Sequence, residues 1–109
     1  MRETIIHELK TIPPYFEAVW KGDKTAELRK NDRGFAVGDT LVLREYIPGS
    51  VNSSVGDGYH TGRAVVATVT HLTDYPPALQ ANCVMISFKF RCQFEGYEAG
   101  DAQKKLATR

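Results

Sequence analysis

No run of apolar residues in this chain comes near the ~20 that a membrane-spanning helix needs. Met1-Arg2-Glu3-Thr4 carries none of the long apolar stretch of a secretory leader. The expectation is a cytoplasmic protein with no membrane partner. Cysteine is scarce: Cys83 and Cys92 are the two. They stand an odd number of residues apart in one expected strand and so point to opposite faces, which argues against a bridge within that strand and for two reduced thiols. Histidine is as sparse. His7 has no second His or Cys at ligand spacing, so neither a metal nor a cofactor is expected. An excess of charge is missing too: 14 Lys and Arg against 13 Asp and Glu leave a net charge of +1. Proteins that hold duplexes by bulk attraction are usually far more basic, so a nucleic-acid role here must rest on a local basic patch.

What is present suits one small domain. The chain has 109 residues, 42% of them hydrophobic and 25% charged, enough for a single modest core. Alternation predicts a strand over 4–10, with Ile5, His7 and Leu9 on one face. Pro13-Pro14 starts a helix whose buried stripe is Ile12, Phe16, Val19 and Trp20, and Gly22 stops it. Trp20, at the end of that stripe, suits the core, although an indole also stacks on a base. A strand over 41–43 follows, then a loose Gly-, Ser- and Asn-rich stretch over 48–60 read as a flexible hairpin loop. Dense β-branched residues predict a strand over 63–72. The last strand, over 83–94, places Val84, Ile86, Phe88 and Phe90 on one face. The domain is expected over 1–94 and a polar tail over 95–109. The fold class is α+β: a small, mainly antiparallel β-barrel of about five strands, with one main helix after the first strand.

The stretch 21–44 concentrates the charge. A turn at Lys21-Gly22-Asp23-Lys24 opens a strand, Thr25-Ala26-Glu27-Leu28-Arg29. Period-two alternation puts Thr25, Glu27 and Arg29 on one face and Ala26 and Leu28 on the other, the second suited to a core. Three polar residues in register serve either a solvated array of ion pairs, each of little value, or the wall of a pocket.

Several pieces taken together resemble a known family: His7-Glu8-Leu9-Lys10, Tyr15-Phe16, Glu27-Leu28-Arg29-Lys30-Asn31-Asp32-Arg33, Val37-Gly38-Asp39, Tyr59 with Thr61-Gly62-Arg63, and Val84-Met85-Ile86-Ser87-Phe88. The order resembles the ASCH domain, a branch of the PUA-like superfamily, and is similar to the DUF3850 group of small bacterial and phage proteins. The resemblance implies a PUA-like barrel with a cleft beside the first helix that binds RNA or a modified nucleobase. The residues it implies are Lys21, Lys24, Thr25, Glu27, Arg29, Lys30, Asn31 and Arg33. Arg63 joins them, and Tyr59 or Tyr46 would stack on a base. A pocket for a single base needs no strongly basic surface.

Some small ASCH proteins are amidohydrolases acting on acetylated cytidine, and this gives an enzymatic alternative. Lys24, Thr25 and Arg29 match their pattern. The position of their nucleophilic threonine is Glu27 here, and a carboxylate does not stand in for a hydroxyl in acyl transfer. Glu27 would have to act on water instead, with Lys24 steadying an oxyanion. A third alternative is an accessory module that binds a protein partner.

Overall fold

The computed structural model describes residues 3–49 and 58–107. Seven elements follow in order: β1 (Ile6–Thr11), α1 (Tyr15–Trp20), β2 (Ala26–Lys30), β3 (Thr40–Ile47), β4 (Tyr59–Thr73), β5 (Cys83–Phe94) and α2 (Asp101–Ala107). The five strands form one sheet in the order β1-β3-β4-β5-β2. Three pairings are antiparallel, and β1 runs parallel to β3. The sheet is therefore mixed. Hairpins make its second half, but in its first half the chain leaves β1, passes through α1 to the far edge for β2, and returns to lay β3 beside β1. A parallel neighbour always needs such an excursion.

β1 and β2 are thus the two edge strands, and curling brings them towards each other. Arg29 at the end of β2 donates from Nη2 to the Lys10 carbonyl of β1, and Arg33 Nη1 donates to the Glu8 carbonyl at 3.0 Å. The result is a half-barrel whose open seam is clasped by two arginines.

Inside the curl lies the main core. β-branched and aliphatic residues at alternate strand positions supply it: Leu9, Leu41, Leu43, Val65, Val69, Val84 and Ile86, with Phe35 and Phe88. Helix α1 plugs it with Phe16 and Val19, while Ile12 of the expected stripe is left exposed and Trp20 is half-buried. The helix is only six residues long. Gly22, at φ +84°, ends it as expected, since that backbone region suits glycine.

The turn before β3 hangs on the buried Asp39. Its side chain accepts from the Ile5 and Ala36 N–H groups, each at 3.1 Å, and lies 2.8 Å from His7 Nε2. His7 is a hydrogen-bonded core histidine, with the Phe35 ring centre 4.6 Å away and tilted by 55°.

A second cluster covers the outer face of the sheet. Val42, Ala64 and Val66 pack with Tyr97 and Ala102. The segment read as a polar tail therefore contributes buried side chains and a second helix. Tyr97 hydroxyl donates to Glu8, the Gly100 N–H donates to the same carboxylate at 2.8 Å, and Tyr97 N–H donates to the Gly62 carbonyl at 2.8 Å. Gly62 takes φ +101°, and a Cβ there would sit 3.2 Å from the Gly96 nitrogen, so this docking needs glycine. Most of the expected 48–60 loop, residues 50–57, lies outside the described residues.

Candidate functional site: a cavity in the open seam

A cavity of about 720 Å³ opens where the two edge strands fail to meet. The end of β1 supplies Lys10, Thr11 and Ile12, helix α1 supplies Tyr15, β2 and its approach supply residues 24–29, and β5 supplies Met85. Its volume falls in the ~300–1,000 Å³ range of small-molecule sites.

The polar floor is one ion cluster. Glu27 is 6% exposed, and both its oxygens are engaged. Lys24 Nζ donates to Oε1 at 2.7 Å, and Arg29 Nε donates to Oε2 at 3.0 Å. Lys24 also donates to the Ala26 carbonyl. Arg29 reaches on to the Lys10 carbonyl and, at 3.4 Å, to Thr11 Oγ1. Such a buried carboxylate is stable only because it is paired twice. The cations still hold N–H groups beyond these bonds, since an ammonium has three and a guanidinium five.

The walls are apolar. Leu28 and Met85 stand directly opposite each other in the β2–β5 register and are 59% and 40% exposed. Ile12 and Tyr15 are exposed on the other lip. This corrects the sequence reading, which puts Ala26 and Leu28 on the core side of β2. The structure buries Glu27 and leaves the Leu28 side chain exposed at the mouth of the cavity. At an edge strand beside an open seam, the inner face meets a hollow instead of packed aliphatic side chains.

The other implied residues are distributed as follows. Lys24, Thr25, Glu27 and Arg29 line the cavity together. Arg33 clasps the seam further along. Lys21 and Lys30 are exposed outside its lining. Asn31 accepts from the Phe35 N–H at 3.3 Å and borders a smaller cavity of about 210 Å³ with Asn82 and Cys83.

Tyr59 and Tyr46 do not line the main cavity among the described residues. Tyr46 lies under the Lys10 ammonium, 4.5 Å from its ring centre, and 5.1 Å from the His60 ring. Burial pushes the His60 imidazole below its ordinary range, and Arg44 adds to the shift. Its Nδ1 is buried without a partner.

Arg63 is also elsewhere, as a structural hub. Its Nε and Nη2 donate to the two Glu45 oxygens, each at 2.9 Å, and Nη2 donates to Glu17 Oε2 at 2.9 Å. Its guanidinium lies 4.8 Å from the Trp20 ring centre and 5.2 Å from that of Phe16. Those hydrogen bonds hold the Glu45 carboxyl below its ordinary range.

The sequence reading does not reach the apolar lining: Ile12, Tyr15, Leu28 and Met85. The one available signal is Tyr15, which stands off the expected buried stripe of a very short helix. Among the described residues, no three His, Cys, Asp or Glu side chains gather as a metal ion needs, and no helix is long and apolar enough to cross a membrane. Both cysteines are free, Cys83 half-buried and Cys92 exposed.

The chain is similar to an "Uncharacterized 12.9 kDa protein in GpA 3'region" of Escherichia phage P2, with 44% identity over 69 residues. The match covers 63% of this chain and 55% of the relative, so it spans about half of that protein's length. Residues 6–88 match the family model described as "Domain of unknown function (DUF3850)"; these residues run from β1 into β5 and include the whole seam cavity, and the chain belongs to that family.

Proposed function

We propose that this protein is an ASCH-type, PUA-like module that binds RNA or a modified nucleobase in the seam cavity. One observation carries the reading: a nucleoside-sized hollow with apolar walls and a floor of Lys24, Glu27 and Arg29 in a chain whose net charge is only +1. Apolar walls suit the faces of a base, and the remaining N–H groups of Lys24 and Arg29 suit its carbonyls or a phosphate. Lys10 at the lip and Arg33 beyond it extend the positive charge along a short strand of RNA. The work of such a module lies in the cytoplasm.

Amide hydrolysis of an acetylated cytidine is the second reading, favoured by the presence of Lys24 and Thr25 in the same lining. Each Glu27 oxygen already accepts from a cation, an arrangement that suits charge neutralisation better than proton abstraction.

The test is a fluorescence titration of short single-stranded RNA and of N4-acetylcytidine, at two salt concentrations, with acetate release followed in parallel. Binding that weakens with salt and on Lys24→Ala or Arg29→Ala is expected, in variants shown by circular dichroism to be folded. Folded variants that bind as tightly as the parent would remove the cavity from consideration. Acetate release abolished by Lys24→Ala would move the conclusion to the hydrolase.

A further inference from the structure

The backbone of β2 faces the cavity as well as its side chains. β2 pairs on one side only, with β5, in an antiparallel register that sets Thr25 opposite Phe88 and Asn31 opposite Asn82. Phe88 N–H donates to the Thr25 carbonyl at 3.0 Å, and Asn31 N–H donates to the Asn82 carbonyl at 2.6 Å. Directly opposed residues in an antiparallel ladder alternate between bonded and non-bonded pairs. Residues 25, 27, 29 and 31 therefore turn their N–H and C=O groups to β5. Residues 26, 28 and 30 turn theirs away, into the seam.

Several carbonyls in this seam already have basic partners. Lys24 takes that of Ala26, Arg29 that of Lys10, and Arg33 that of Glu8. Leu28 is different. Its N–H and C=O face the cavity side by side, between the Lys24–Glu27–Arg29 cluster and the exposed Leu28 and Met85 side chains. A bare strand edge is a template for anything that presents an acceptor and a donor at matching spacing.

We infer that the main chain of Leu28 reads the edge of a planar heterocycle, its N–H donating to a ring acceptor and its C=O accepting from a ring or exocyclic N–H. This rests on the nucleobase reading above and deepens it: selection would act on the pairing edge of the base through the protein backbone, with Tyr15 and Met85 against its faces. An extended peptide also adds to free strand edges. Here Arg29 crosses the seam to Lys10, and Arg33 crosses to Glu8, so a strand cannot run on beyond Arg29. The blind end admits a short flat group.

Proline supplies the experiment. At an edge position whose N–H faces away from the ladder, it removes the donor while sparing the pairing with the neighbouring strand. Leu28→Pro and Leu28→Ala are compared with the parent by calorimetric titration. The probes are cytidine, uridine, adenosine, guanosine and N4-acetylcytidine. Whichever binds is retested with the N–H of its pairing edge replaced by N-methyl.

The expectation is a loss of roughly tenfold or more for Leu28→Pro and for the methylated probe, the scale of one unmade hydrogen bond. Leu28→Ala trims part of the wall but keeps the N–H, so it should lose less affinity than Leu28→Pro. A methylated probe that binds like its parent overturns the inference whether or not Leu28→Pro folds. A folded Leu28→Pro with parental affinity overturns it too. If either happens while Lys24→Ala and Arg29→Ala still weaken binding, the cavity reading stands without the edge reading. A parent protein that binds none of the probes and no short RNA overturns both.

Discussion

Arg29 holds Glu27 two residues behind it on β2, through an Nε–Oε2 bond of 3.0 Å, and with the same guanidinium grips the Lys10 carbonyl of β1. One side chain thus shares in neutralising the buried carboxylate and in clasping the seam.

Removing it should cost stability as well as any ligand. Breaking a buried pair costs ~3–5 kcal/mol, but Arg29 is a quarter exposed and Lys24 stays on Glu27, so Arg29→Ala should lose about 2 kcal/mol. Arg29→Lys keeps the charge without the planar fork and should recover only part of that. Urea unfolding midpoints decide the matter: an unchanged midpoint in Arg29→Ala would mean that the clasp does not hold the seam.

Asp39 should be among the least replaceable residues. It is fully buried and accepts from two backbone N–H groups while meeting His7. Asp39→Ala takes the acceptor from two part-buried N–H groups and from the buried His7, at a cost of about 3 kcal/mol. Thermal unfolding should show a large drop. A melting temperature within a degree or two of the parent would show that the turn does not depend on this carboxylate.

The acid limb of stability should belong to Glu45. Its bonds from Arg63 put its folded pKa below the unfolded one, so its contribution is present above the ordinary carboxyl value of ~4.3 and disappears as pH falls through the folded value. Glu45→Gln should flatten the fall in urea midpoint below that point. His60 is also depressed, chiefly by burial, so its protonation should begin to oppose folding once pH drops below ~6.5. His60→Gln should remove that earlier part of the slope and leave the later one. An identical pH profile in both variants would contradict the assignment.

An alkaline limb should come from Tyr97, in the outer cluster. Burial, with the bond to Glu8, pushes the Tyr97 hydroxyl up to about 12. A folded value raised above the unfolded ~10 gives stability that is full below pH 10 and lost as pH rises through about 12. Tyr97→Phe should flatten this limb, read by far-ultraviolet circular dichroism between pH 9 and 12. Tyr97→Ala should also open a gap over Val42 and Val66 and cost about 3 kcal/mol at neutral pH. If truncating the chain after Phe94 left the midpoint untouched, the outer cluster would be ornamental.

Legibility in the sequence followed local pattern. β5 is bounded at Cys83 and Phe94 as its alternation implies, and Val84, Ile86 and Phe88 are buried from one face of that run, but Phe90, expected on the same face, is exposed where the pairing with β4 shifts register. Gly22 ends α1 for the local reason of backbone sterics. The facing of β2 could not be read this way. Whether Glu27 or Leu28 turns inward depends on β2 being an edge strand beside a hollow, and that follows from the parallel β1–β3 pairing, which no short window contains. The Tyr97 segment was hidden for a related reason: one aromatic and one small residue among polar neighbours have no periodicity, and their partners lie on strands far back in the chain. At the candidate site, the polar floor stood within six consecutive residues and was legible; the apolar half is assembled from four separate parts of the chain and was not.

The seam has one practical outcome for anyone searching for a ligand. Its two lips belong to strands at opposite ends of the sheet order, so the hollow exists only while all five strands keep their curvature. A molecule lodged there would tie the first strand to the last in space and so resist collapse of the entire domain, not of one loop. Heat tolerance should then rise with occupancy by mass action, and a melting screen across a nucleoside library becomes a direct search for what this protein holds.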